Sequence, residues 1–178
     1  MVVGNSEIYP LSLDSIDLIQ IKNPELVSFL RSWLTQRGLN REIYSLIPDD
    51  KSDFKPTEKS PSVRENIIYQ IKVHDNYLKC IKEGKLEHGK HYEELNFEGL
   101  TKDQLLKMWD NIDIEIVDFL SSEDIEKQVS VPWSKNPVST LNAFWGLENH
   151  EIYHLGRNSV TLEALNIPRP DSLKKVWG

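Results

Sequence analysis

Val63, Ile67, Ile71, His74, Leu78 and Ile81 recur at spacings of four and three. That period puts them on one face of a helix, and a helix with such a stripe must bury it against another element. Three further segments carry the same period. Leu26, Phe29, Leu30, Trp33 and Leu34 follow Asn23-Pro24, where the Asn caps a helix and the proline, lacking an N–H, fits its first turn. Leu105, Met108, Trp109, Ile112, Ile116, Phe119 and Leu120 follow Thr101 and Gln104, a pair that can satisfy each other's backbone N–H groups at a helix start. The run 139–165 has no internal proline and spaces its apolar residues by three and four. Four stripes that can cover only one another predict an all-α protein, a four-helix bundle.

The breaks between stripes agree. Residues 1–22 alternate without a sustained stripe and read as an extended N-terminal arm ahead of a single bundle domain over 23–178. Pro48, Pro56 and Pro61 mark a loop over 47–62, Gly84 stops the second helix, residues 85–100 form a polar connection, and Pro168 and Pro170 end the fourth helix. A chain of 178 residues, 39% hydrophobic, suits one domain with a real core. Its net charge of −7, with Lys and Arg scattered, argues against a nucleic-acid partner. Cys80 is the only cysteine, which excludes an internal disulfide and suits a reducing compartment. No run is long and apolar enough for a membrane span, and the N-terminus lacks a signal-peptide pattern, so a soluble cytoplasmic protein is expected.

The chemistry concentrates in His150-Glu-Ile-Tyr-His154. Side chains at i and i+4 share a helix face, so both imidazoles can reach one metal ion. The string also matches the zinc peptidase signature, in which Glu151 would activate water. That reading needs a third ligand downstream. Glu163 stands nine positions on in the same helix, and Val160 occupies the place of a third His. A bundle site would instead recruit from an upstream helix, where His74 points inward, either as a third ligand or as a core histidine hydrogen-bonded to its neighbours. Glu151 is the candidate general base or an acceptor for a ligand imidazole, and Glu148 and Arg157 are near enough to serve substrate binding. The plain alternative sets these charges on the exposed side of the helix, since 148 and 151 lie on another meridian from 150 and 154. His88 and His91 in a Lys-rich connection read as a solvated pair, and Cys80 as an inert buried thiol.

With these stretches in view the chain resembles the DinB-like (YfiT-like, damage-inducible) family of metal-binding bundles. The likeness rests on Ile47-Pro-Asp-Asp-Lys-Ser-Asp-Phe-Lys-Pro56, on Ser62-Val-Arg-Glu65 running to Gly84, on His150-Glu-Ile-Tyr-His-Leu-Gly-Arg157, and on Leu165-Asn-Ile-Pro-Arg-Pro170. The resemblance implies an up-down-down-up bundle, often a homodimer, holding a divalent metal such as zinc or nickel. Its ligands would be one His on the second helix and the pair His150 and His154 on the fourth. It further implies a small-molecule substrate and metal-dependent transferase or hydrolase chemistry, in some relatives with a low-molecular-weight thiol, bacillithiol or mycothiol. The family's second-helix His falls at Tyr69, and His74 stands five residues later, a rotation of about 140° in an unbroken helix. The third ligand is therefore His74, Tyr69 or absent, and in the last case a dimeric binding module without catalysis is the alternative. Arg157 replaces the Gln usual after the family's His-Leu-Gly.

Overall fold

The structure, a computed structural model, describes residues 21–178; the arm expected over 1–22 lies outside them except for Ile21 and Lys22. Four long helices carry the described chain: α1 (Pro24–Leu46), α2 (Val63–Lys82), α3 (Lys102–Ser122) and α4 (Thr140–Ala164). Each starts at a side-chain cap. Asn23 accepts from the Glu25 and Leu26 amides, Ser62 and Glu65 form a reciprocal box on α2, Thr101 and Gln104 do the same on α3, and Ser139 accepts from Asn142. These caps satisfy backbone N–H groups that no helical turn can reach. Gly38 does not interrupt α1, which runs unbroken to Leu46.

α1 packs chiefly on α4 and α2 on α3, with α2–α4 and α1–α3 contacts closing the set around one hydrophobic cluster. Phe29, Trp33, Trp109, Phe144 and Leu147 are fully buried there, each contributing about 1.5–3 kcal/mol by leaving water. The 47–62 loop contains a single 3₁₀ turn at Asp49–Lys51, and Lys102 Nζ reaches back to the Ile47 carbonyl at 2.5 Å.

Two elements are additional to the four stripes. The link between α3 and α4 closes into a short antiparallel pair, β1 (Gln128–Val129) with β2 (Val138–Ser139). Ser130 extends it to the end of α2 through hydrogen bonds with Gly84 and Leu86, where Gly84 takes the left-handed conformation (φ +85°). After Pro168 and Pro170 the chain resumes as α5 (Asp171–Trp177), whose Leu173 is buried. Two-residue strands and a seven-residue helix are too short to show a period. Among the described residues no helix is long and apolar enough to cross a membrane.

Candidate metal centre

His150 and His154 meet in the groove between α4 and α2. Their Nε2 atoms lie 3.0 Å apart and their ring centroids 4.3 Å apart. Tyr69 faces both from α2, its ring 5.6 Å from His150 and 5.7 Å from His154. Burial pulls both imidazoles below their ordinary range, His150 to about 4 and His154 to about 3, so each is neutral at pH 7 and offers a lone pair. Two nitrogens each about 2.0–2.1 Å from one ion, at angles from about 90° to tetrahedral, stand about 2.9–3.4 Å apart. The observed separation falls in that interval. The Nδ1 atoms of both rings are buried without a hydrogen-bond partner, so Nε2 is where each ring has a polar contact. The pair fits a divalent metal as two nitrogen ligands, with the Tyr69 ring facing it from α2.

Two features flank the pair along α4. One turn before His150, Gly146 leaves room for two side chains: a β-carbon there would stand 3.0 Å from both the Trp133 ring and the Tyr77 hydroxyl. Trp133 is half exposed and its ring lies tilted 6.4 Å from that of His88, so this end has an aromatic wall. Gly146→Ala sets overpacking against both Trp133 and Tyr77, about 2 kcal/mol, against the roughly 1 kcal/mol that alanine gains inside a helix, and should destabilise by about 1 kcal/mol net. A lower urea midpoint that Trp133→Ala partly restores is the expected result. Past His154, a cavity of about 180 Å³ opens between α4, α2 and the 56–62 loop, lined among others by Arg157, Asn158, Thr161, Asn66 and Tyr44. Arg157, which the sequence offered for substrate binding, reaches this cavity and lies over the Tyr153 ring at 5.5 Å.

His74 and Glu151 sit behind the pair, in the core. His74 is fully buried, with Nδ1 2.5 Å from Asp113 Oδ1 and Nε2 2.5 Å from Glu151 Oε1. Burial opposes a charge on this ring, but the Asp113 and Glu151 carboxylates outweigh it and hold the imidazole up to about 9. His74 is therefore an imidazolium donating from both nitrogens. Trp109 Nε1, 3.1 Å from Nδ1, then abuts an occupied ring edge. Glu151 accepts from Asn40 at 2.6 Å with its other oxygen. One ligating atom from each of His74, His150 and Glu151 lies within 4.8 Å of the others, so the three are close enough to share an ion. For His74 to do so, its Nε2 would have to give up Glu151. Asp75, next to His74 in sequence, pairs with Lys79 and not with the imidazole.

Around this point the core is polar. Arg37 pairs with Asp110 at 2.6 Å and with Asp113, lies 3.9 Å over the Trp109 ring, and Arg41 also reaches Asp110. The cluster sets three cations, Arg37, Arg41 and His74, against three carboxylates, Asp110, Asp113 and Glu151. A chain of neutral hydrogen bonds, Asn40 to Asn158, Tyr44 and Asn66, extends it toward the cavity. The expectation that Glu148 and Glu151 lie on the exposed side of α4 is thus corrected: they are 5% and 0% exposed. Glu148 takes a hydrogen bond from Ser32, and the side of α4 that faces water carries Ile152, Tyr153 and Gly156. His91 is likewise buried rather than solvated, while His88 is exposed.

The chain superposes on a crystal structure of a DinB-like protein from Bacillus subtilis (YjoA). The TM-score is 0.62 at 20% identity, covering 82% of this chain and 94% of that one. The fold is DinB-like. No family model matches the sequence, and no curated protein does. In this chain Tyr69 faces the fourth-helix pair.

Proposed function

We propose that the protein is a member of the DinB-like family that holds a divalent metal, zinc or nickel, on His150 and His154 and uses it in transfer or hydrolysis on a small molecule. The observation that carries this reading is the convergence of two neutral Nε2 atoms to 3.0 Å opposite the Tyr69 ring. Tyr69 is the third side chain at the ion, and His74 stays in the core as a cation. When bound, the metal would act as a Lewis acid toward a substrate oxygen. The chain's own residues do the rest. Trp133 and Tyr77 shape one end of the groove, Arg157 offers a cation to an anionic group at the other, and Glu151 fixes the helix turn between the two imidazoles through His74 and Asn40. With its carboxylate held this way, Glu151 is a positioning residue, and the peptidase reading loses its base. A low-molecular-weight thiol is the candidate co-substrate.

The up-down-down-up order of the helices is part of the same reading. It is supported by the order of contacts: Ser32, Asn40 and Tyr44 meet Glu148, Glu151 and Asn158 in rising sequence, whereas Asn66, His74 and Tyr77 meet Asn158, Glu151 and Gly146 in falling sequence. A cytoplasmic homodimer completes it, and sedimentation equilibrium checks the dimer.

Metal content tests the core of the proposal. Untagged protein loaded with nickel or zinc and then desalted should retain one equivalent more than the His150→Ala, His154→Ala double variant. Equal retention in the two would end it. Tyr69→Phe should keep the nitrogens and weaken binding by about 10-fold, the lower end of what losing a supporting group costs. A non-catalytic binding module is favoured by one observation, that both nitrogens of His74 are committed to carboxylates and leave two histidines at the ion. Metal-dependent turnover of an electrophile by a thiol would exclude that module.

A further inference from the structure

Where α2 ends, Cys80 Sγ, a Glu83 carboxylate oxygen and a His91 ring nitrogen all lie within 4.8 Å of one another. We propose that these three side chains form a second metal site, taking zinc in a sulfur, nitrogen and oxygen set with water as the fourth ligand. This inference is independent of the proposed function, because none of its residues belongs to the His150–His154 groove.

The state of His91 carries the argument. Its residue is 9% exposed, and its Nε2 is buried with no hydrogen-bond partner. The other nitrogen, Nδ1, is 2.5 Å from Glu94 Oε1, and the backbone N–H donates to Asn76 Oδ1 at 3.0 Å. A carboxylate on Nδ1 fixes the proton there and leaves the Nε2 lone pair free, which is how ligating histidines are commonly held. Nε2 lies 3.4 Å from Glu83 Oε1, and a metal ion entering between them takes the place of any proton on that nitrogen. Nitrogen and oxygen ligands about 2.0–2.2 Å from a tetrahedral zinc stand about 3.3–3.5 Å apart. The two atoms already have the spacing an ion would impose.

Cys80 supplies the soft ligand. Its thiol is buried and donates to the Glu87 carbonyl at 3.5 Å, so it is no exposed nucleophile. On binding, the thiol proton passes to solvent and the thiolate remains on the ion. Lys90 binds the other Glu83 oxygen, Oε2, at 2.5 Å and leaves Oε1 toward His91, while burial holds the Cys80 thiol above its ordinary range, so that it ionises on binding metal. Glu83 is partly exposed, so an ion enters from its side. The last carbonyls of α2 also favour a cation there. Such a site ties the 85–100 connection to the helix that precedes it.

Cobalt(II) distinguishes this site from the groove, which offers no sulfur. Titrating the apo protein with cobalt should produce a near-ultraviolet thiolate-to-metal charge-transfer band that saturates at one equivalent and is bleached by zinc. The His150→Ala, His154→Ala variant should keep the band at unchanged affinity, even if the groove proves to bind nothing. Glu94→Gln and Glu83→Gln, both at partly exposed positions that tolerate the change, should each weaken cobalt binding by about 10-fold or more. Cys80→Ser should abolish the band while circular dichroism stays that of the parent. No band in the parent protein would leave His91 as an ion-paired histidine and overturn the proposal. A band whose affinity ignores both glutamate variants would overturn it equally, as metal on a cysteine alone.

Discussion

Asp113→Asn lowers the free energy of unfolding by about 3–5 kcal/mol, the cost of removing one partner from a buried ion pair. The size of the loss follows from what the carboxylate serves. Asp113 is fully buried and holds two cations at once, Arg37 through Nε and His74 through Nδ1. The asparagine keeps the shape but leaves three positive groups facing Asp110 and Glu151 alone. Burying a charge without its counter-ion is what makes such changes expensive; the intact cluster itself adds little net stability, since each ion lost its hydration on folding. The exposed Glu115, half a turn further along α3, is the control. Glu115→Gln should move stability by less than about 0.5 kcal/mol. Urea unfolding of the three proteins reads both numbers. A loss for Asp113→Asn as small as that for Glu115→Gln would mean that water reaches the cluster and screens it.

The helices were legible because capping and period are local. Asn23-Pro24, Thr101 with Gln104, and the stripe from Val63 to Ile81 each act within one or two turns, and the structure starts and stops its helices there. The polar core was harder, for a physical reason. Arg37, Asp113 and Glu151 occupy positions where each apolar stripe continues: Trp33 to Arg37 and Asn40 on α1, Trp109 to Asp113 and Ile116 on α3, Leu147 to Glu151 and His154 on α4. Hydrophobic patterning assigns such residues to the solvent side, because only a partner on another helix makes burying them tolerable. Placing His150 and His154 on the apolar meridian sent Glu151 outward by the same logic, yet α4 is flanked by both α1 and α2 and buries a broad arc. A charged residue spaced by four from a large buried apolar side chain, on three helices at once, was the available signal. His91 was missed for a related reason: its burial depends on Asn76, Glu94 and the folding of an irregular connection onto α2, which no period announces.

Stability measured without metal should fall on the alkaline side of neutrality, with His74 as the cause. Its folded pKa, about 9, exceeds the ordinary value of 6.5 because the Asp113 and Glu151 carboxylates outweigh the burial that opposes its charge. A group raised in this way stabilises fully below its unfolded pKa, and that contribution disappears as pH rises through the folded one. The window is therefore about 6.5 to 9, and a shift of that size corresponds to about 3 kcal/mol. His150 and His154 act in the other direction. Burial lowers them to about 4 and about 3, so their contribution is present above 6.5 and is lost as pH falls toward those values. The two effects leave a maximum near neutral pH. Urea unfolding in the presence of a chelator, at pH 6.5 and at pH 9.5, should show the alkaline loss in the parent, and His74→Gln should flatten it while lowering stability at the lower pH. An alkaline loss of equal size in His74→Gln would assign the titration to another group and leave the imidazole neutral between its two carboxylates.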